Sequence, residues 1–248
     1  MLPNIWIFDT YSILMLLGIA ACFTMLYQYF QKKGIKKRIA YSVLILACAA
    51  IVGGLVFAVL FQYLFSRLNE NNTNGDFAMT FYGGLIGGAV IFILGYFLVL
   101  KKKEPESRFI DILKVAPLCI TIAHCFGRIG CFCAGCCYGI ETDSWVGVKF
   151  PGMVNKVYPT QLFEAIFLLL LSVVLFILLF KIDFDYTMPV YLMSYGVWRF
   201  LIEFIRGDDR GAFFLGLSPS QWISIIAVIG GIVLLILMMN RKKKCEVE

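Results

Sequence analysis

Between His124 and Gly139 the chain reads HCFGRIGCFCAGCCYG. Arg128 sits there among four glycines, five cysteines and the only histidine in the protein. An apolar run precedes the segment, so Arg128 is a charge held near or within a bilayer. Such a charge costs about 3 kcal/mol unless it faces protein, water or an anion. Glycines let a backbone approach a ligand closely and adopt positive φ. Arginine among glycines at a lipid boundary points to phosphate recognition, because the planar guanidinium fork matches phosphate oxygens two at a time.

A second constellation follows further along. Tyr195, Arg199, Glu203 and Arg206 are spaced four, four and three apart, which places them on one helical face. A carboxylate between two arginines would orient both and leave positive charge for an anion. A purely structural ion-pair network, with Arg206 snorkelling to the interface, fits the same spacing. The second arginine segment at the same expected depth favours function.

Two more polar elements share that depth. YGGLIGG at 82–88 reads either as a small-residue contact between helices or as a broken helix lining a headgroup cavity, with Tyr82, Gly83 and Gly84 on its wall. These readings are compatible. YPTQLFE at 158–164 enters the following span, and in lipid every ionisable residue is a candidate site.

The elements that must carry these residues are membrane helices. The chain is 60% hydrophobic with a mean hydropathy of +0.85, far above soluble composition. Apolar segments at 10–30, 39–65, 77–100, 109–123, 161–180, 188–205 and 219–239 are mostly long enough to cross a hydrocarbon core. They are continuous instead of alternating, so the expected fold is an all-α polytopic helix bundle of about seven spans, not a barrel. The fourth is short and runs straight into the glycine-cysteine segment. Residues 1–248 read as one membrane domain with no soluble domain and no removable signal peptide.

The net charge of +6 is carried by three blocks between spans: Lys32 to Arg38, Lys101 to Arg108, and Arg241 to Lys244. Short basic loops of this kind are cytoplasmic. The N-terminus is then outside, the C-terminus inside, and the connections at 66–76, 138–160 and 207–218 outside. No basic stripe lies on a soluble domain, which argues against nucleic acid as a partner.

Nine cysteines invite three readings. His124 with Cys131, Cys133 and Cys136 offers soft metal ligands, but paired C-x-x-C knuckles are missing. An outer location permits disulfides. Plain packing of small residues is the preferred reading, so no metal and no cofactor is assigned.

Taken together, the motifs resemble the prolipoprotein diacylglyceryl transferase family. GRIG to YG at 127–139, YGGLIGG at 82–88, YPTQLFEA at 158–165, RFLIEFIR at 199–206 and LSPSQWIS at 217–224 occur in family order. Asp9-Thr10-Tyr11 before the first span fits as well. The resemblance implies a seven-span, N-out enzyme of the bacterial cell membrane. Such enzymes take phosphatidylglycerol and transfer its diacylglyceryl group to a cysteine thiol of a lipoprotein precursor, releasing glycerol phosphate. It implies phosphate binding by Arg128, Arg199 and Arg206, with Glu203 orienting an arginine. Tyr11, Tyr195 and Gly139 would shape the headgroup pocket.

The chain departs from the family pattern at defined places. Cys131, Ala134 and Cys136 stand where the family usually carries two asparagines and a glutamate, and Tyr82 and Tyr158 stand where it carries histidines. His124, one helical turn before Arg128, is the substitute candidate for the catalytic base; a satisfied structural histidine is the plainer reading. The favoured function is diacylglyceryl transfer to a prolipoprotein cysteine. Transfer of a lipid-derived group to another acceptor, such as a surface glycan, stays open, as does a non-catalytic protein that binds anionic lipid. A thiol oxidoreductase is the most distant reading.

Overall fold

The computed structural model describes residues 10–68, 76–207 and 216–247. It is 78% helical, and no strand occurs among the described residues. In hydrocarbon only internally hydrogen-bonded helices or closed barrels satisfy the backbone, and continuous apolar runs choose the helix. The helices are α1 (Thr10–Lys32), α2 (Lys37–Leu68), α3 (Asp76–Gly95), α4 (Phe109–Ala134), α5 (Thr160–Phe180), α6 (Thr187–Ile202) and α7 (Pro219–Val247). A π turn at Tyr96–Leu100 and a short turn at Lys101–Lys103 continue α3.

Six stretches are long and apolar enough to cross a membrane, in α1, α2, α3 with its extension, α4, α5 and α7. The remaining helix, α6, has 16 residues, about 24 Å at 1.5 Å per residue. A 3-10 turn at Glu203–Ile205 extends it. Large apolar side chains face outward along these helices, among them Ile45, Leu170 and Ile226, as lipid contact requires. The protein is an all-α membrane helix bundle.

The chain divides into two compact units, Tyr27–Ile110 and Met1–Leu26 with Asp111–Glu248. In the first unit α2 and α3 approach closely because their facing positions are glycines. A Cβ on Gly84 would sit 3.1 Å from the Ala58 Cβ, and one on Gly88 would sit 3.1 Å from the Ala50 carbonyl. The glycine doublets thus serve the helix contact, the first of the two expected readings. At one end of this unit, basic and acidic residues of neighbouring blocks pair: Lys36 Nζ is 2.7 Å from Glu106 Oε1 and Arg38 Nε is 2.5 Å from Glu104 Oε1. Two basic blocks assigned to the same face therefore meet at one helix end.

In the second unit α1 lies on α4. Gly18 admits Phe126, Gly127 admits Met15, and a Cβ on Gly130 would meet the Tyr11 ring at 2.8 Å. The Cys22 thiol donates to the Cys119 carbonyl at 2.8 Å across the same contact. Cys125 on α4 packs with Ala165 and Leu168 on α5, closed over by Ile129, Phe167 and Tyr195. Glycines again seat α6 on α7, with Gly196 facing Val228 and Gly231 facing Met193. At the end where α4 and α6 begin, Lys114 pairs with Asp185 at 2.6 Å and Thr187 Oγ1 donates to the Lys114 carbonyl. The other end of this unit carries the site.

Two expectations need correction. The fourth span does not stop at residue 123: α4 runs unbroken to Ala134, so His124 to Ala134 is helical. Gly127 and Gly130 accordingly keep helical torsions and serve to bring α1 close. Within 124–139, positive φ appears past the helix, at Gly135 (71°) and Cys137 (63°). The second correction concerns Arg206. It is not on the helical stripe but beyond the 3-10 turn, in extended conformation with ψ 141°.

Candidate active site

Glu164 is the centre of the site. It sits in the second turn of α5, and its side chain is fully buried. Its Oε2 lies 2.8 Å from Arg128 Nε on α4 and 3.9 Å from Arg206 Nη1. Its Oε1 accepts the Tyr195 hydroxyl proton at 2.8 Å and lies 3.5 Å from His124 Nε2. His124 and Tyr195 also meet edge to face, with ring centroids 5.3 Å apart. One carboxylate thus gathers side chains from three segments.

Glu203 forms a second node. Its Oε2 is 2.6 Å from Arg199 Nη1 and 4.0 Å from Arg206 Nε, and its Oε1 accepts from Ser218 Oγ at 2.8 Å. Arg199 Nη2 donates to Ser220 Oγ at 3.0 Å. Ser218 and Ser220 stand where α7 begins, so the α7 start braces the α6 end. Arg206 lies between the two carboxylates and joins the nodes. Buried ion pairs recover their desolvation cost only when geometry and further hydrogen bonds are good; here each carboxylate accepts one hydrogen bond through Oε1, from Tyr195 or Ser218, while its Oε2 faces the arginines at ion-pair distance without hydrogen-bond geometry.

Three guanidiniums face two carboxylates, leaving one positive charge in excess. Arg206 keeps 3% of its side chain exposed and Arg199 11%, while Arg128 keeps 15%. Arg128 is therefore the least buried of the three arginine side chains.

The loop after α4 fixes Arg206 through its backbone. Gly139 donates to the Tyr158 carbonyl at 2.8 Å, Ile140 donates to the Ile205 carbonyl at 3.0 Å, and Gly139 bridges antiparallel to Arg206. A Cβ on Gly139 would collide with the Ile205 carbonyl, Thr160 and Tyr158. Gly139 is there because three backbone segments cross at that point. Tyr11, half-exposed, covers Gly130 two positions after Arg128.

The loop begins with a tight helix ending. Cys136 N–H donates to the Cys131 carbonyl and Gly135 N–H to the Phe132 carbonyl, a Schellman arrangement around left-handed Gly135. Gln161 and Thr160 then hold the carbonyls of Cys136 and Cys137 at 2.5 and 3.0 Å. Hydrogen bonds from Cys131 and Cys136 push the Cys137 thiol below the ordinary cysteine range, and Arg206 and Arg128 act in the same direction. The Cys136 thiol moves up, because it hydrogen-bonds to the other two thiols. No disulfide joins the cysteines among the described residues. The ligand set weighed from sequence is not assembled: His124 belongs to Glu164, and Cys133 stands apart from Cys131, Cys136 and Cys137.

Arg128, Arg199, Glu203, Arg206, Tyr195 and His124 thus converge, and Gly139 and Tyr11 adjoin them. Tyr82, Gly83 and Gly84 belong to the other unit, where the glycines pack on α2; the Tyr82 side chain lies outside the described residues. Sequence reasoning missed Glu164 as the centre, although a carboxylate inside an otherwise apolar span was signal enough. It also passed over Ser218, Ser220 and Gln161, whose partners are visible only in the fold.

Residues 4–237 match the family described as prolipoprotein diacylglyceryl transferase. The chain is 35% identical over 243 residues to phosphatidylglycerol--prolipoprotein diacylglyceryl transferase 2 of Clostridium perfringens, covering 91% of this chain and 89% of that protein. It is 33% identical over 242 residues to the Clostridium tetani enzyme, covering 90% of each. Against the Bordetella avium enzyme it is 34% identical over 224 residues, covering 86% of this chain and 80% of that protein. The chain belongs to the prolipoprotein diacylglyceryl transferase family.

Proposed function

We propose that this chain is a phosphatidylglycerol-dependent transferase of the bacterial cell membrane, acting as one membrane domain, that moves diacylglyceryl onto a prolipoprotein cysteine. The observation that carries this reading is the buried array of three arginines on two carboxylates, with Arg128 the least buried of the three and one positive charge in excess. That array suits a phosphodiester that becomes a more highly charged phosphomonoester.

In the reaction the acceptor sulfur forms a bond to the glyceryl carbon while the bond from that carbon to the phosphate oxygen breaks. The electron pair stays on the departing glycerol phosphate, and the thiol proton goes to a base. Preorganised guanidiniums stabilise charge that develops in the transition state more than charge already present in the donor. Arg128 contacts the phosphate, with Arg199 and Arg206 completing the field and Glu203 holding Arg199 in register. His124, steadied by Glu164 at 3.5 Å, takes the proton. Tyr11, Tyr195 and Gly139 border the glycerol headgroup.

The proposed orientation is N-terminus out and C-terminus in, with the Glu164 node toward the outer face, where precursors present their cysteines. Expression in a bacterium depleted of its own transferase tests the reading. The chain should restore lipid-modified lipoprotein, and Arg128→Ala should not. Persistent unmodified precursor with well-expressed parent protein would reject the prolipoprotein as acceptor.

A further inference from the structure

Three of the five cysteines after His124 meet at the end of α4. The sulfurs of Cys131, Cys136 and Cys137 all lie within 4.8 Å of one another. The Schellman ending folds Cys136 back beside Cys131, and the left-handed torsion of Cys137, at φ 63°, is a conformation that a non-glycine residue adopts only when its surroundings impose it. Gln161 and Thr160 clamp the two intervening carbonyls. The thiols are free, and Cys133 in the same segment is excluded from the group.

We propose that Cys131, Cys136 and Cys137 form a three-thiolate binding site for a soft cation, monovalent copper or zinc. Metal–sulfur bonds of about 2.3 Å place neighbouring thiolates roughly 3.8 Å apart in a tetrahedral site. The sulfurs therefore need to close by no more than about 1 Å from their present separation, within reach of small side-chain rotations. Thiolate-rich sites select copper(I) and zinc over hard cations. The vicinal pair does not readily consume itself as a disulfide. Adjacent Cα atoms are about 3.8 Å apart, shorter than the roughly 4.4–6.8 Å of ordinary disulfides. Occupancy would staple the α4 end to the loop that leads to Gly139, and so stiffen the backbone that pairs with Arg206.

The test is binding, independent of transferase activity. Purified reduced protein in detergent is titrated with cadmium, read by thiolate-to-metal charge-transfer absorption, and separately with copper(I) and zinc against competing chelators. One equivalent should bind in the cadmium titration, and copper or zinc should raise the melting temperature. Loss of outer-sphere partners alone costs metal sites about 10- to 100-fold, so Cys131→Ser, Cys136→Ser and Cys137→Ser should each weaken binding at least tenfold. Cys133→Ser should bind like the parent. Absence of stoichiometric binding overturns the proposal. So does equal weakening by Cys133→Ser, or a disulfide involving Cys131 in protein prepared without reductant.

Discussion

Glu164 Oε2 lies 2.8 Å from Arg128 Nε across the contact between α5 and α4, with the carboxylate fully buried. The relationship explains why an arginine survives inside a span. Its charge is met by a carboxylate on the neighbouring helix, and its side chain keeps 15% of its surface exposed. In the proposed reaction the donor phosphate arrives at a group already oriented.

Arg128→Ala should still insert and fold, and its turnover should fall about 10²- to 10³-fold, the usual cost of losing one donor to developing charge. Arg128→Lys should fail as well, because a point charge does not reproduce two-toothed contact. Turnover per folded molecule decides. An active lysine variant removes the phosphate clamp.

Glu164→Gln leaves Arg128 and Arg206 buried beside a neutral amide. Breaking a buried pair from one side costs about 3–5 kcal/mol, so melting in detergent should move down clearly, and activity per folded molecule should fall too. A variant as stable and active as the parent would displace Glu164 from the centre of the site.

Arg199 and Glu203 are expected to act as one unit. Glu203→Gln should hurt almost as much as Arg199→Ala, and the double variant should be little worse than either, since residues that work together are not additive. A purely structural pair would lower stability and leave specific activity near the parent value. Turnover and folded fraction measured on the same samples separate the two.

Topology provides an independent check. In a background without native thiols, single cysteines at Asn72 and Asp209 should be labelled from outside, and those at Lys102 and Lys243 only after permeabilisation. Asn72 and Asp209 lie outside the described residues, so the labelling supplies what the structure leaves open. Labelling of positions 72 and 102 from one side would break the third span.

Most of the helical architecture was legible because lipid makes the code simple: apolar length gives spans. The four-residue spacing of Arg199 and Glu203 correctly gave their ion pair. The three-residue spacing to Arg206 gave the neighbour but not the backbone, since nothing local announces that α6 tightens and then extends to meet Gly139. The glycines around Arg128 were read as exposing it to ligand, whereas they admit α1. A missing side chain looks alike in sequence whether a ligand or a helix fills the space. Glu164 was visible as a buried charge, but its partners come from α4 and from the α6 end, which only tertiary packing brings together.

The most direct measurement follows both halves of the donor. Phosphatidylglycerol labelled separately in its diacylglyceryl and headgroup glycerol moieties is incubated with the purified protein and a prolipoprotein peptide bearing the acceptor cysteine. The account predicts that the acyl-side label moves to the peptide in an alkali-stable thioether while glycerol phosphate appears in equal amount. Release of diacylglycerol, or binding of the donor with neither half transferred, would contradict it.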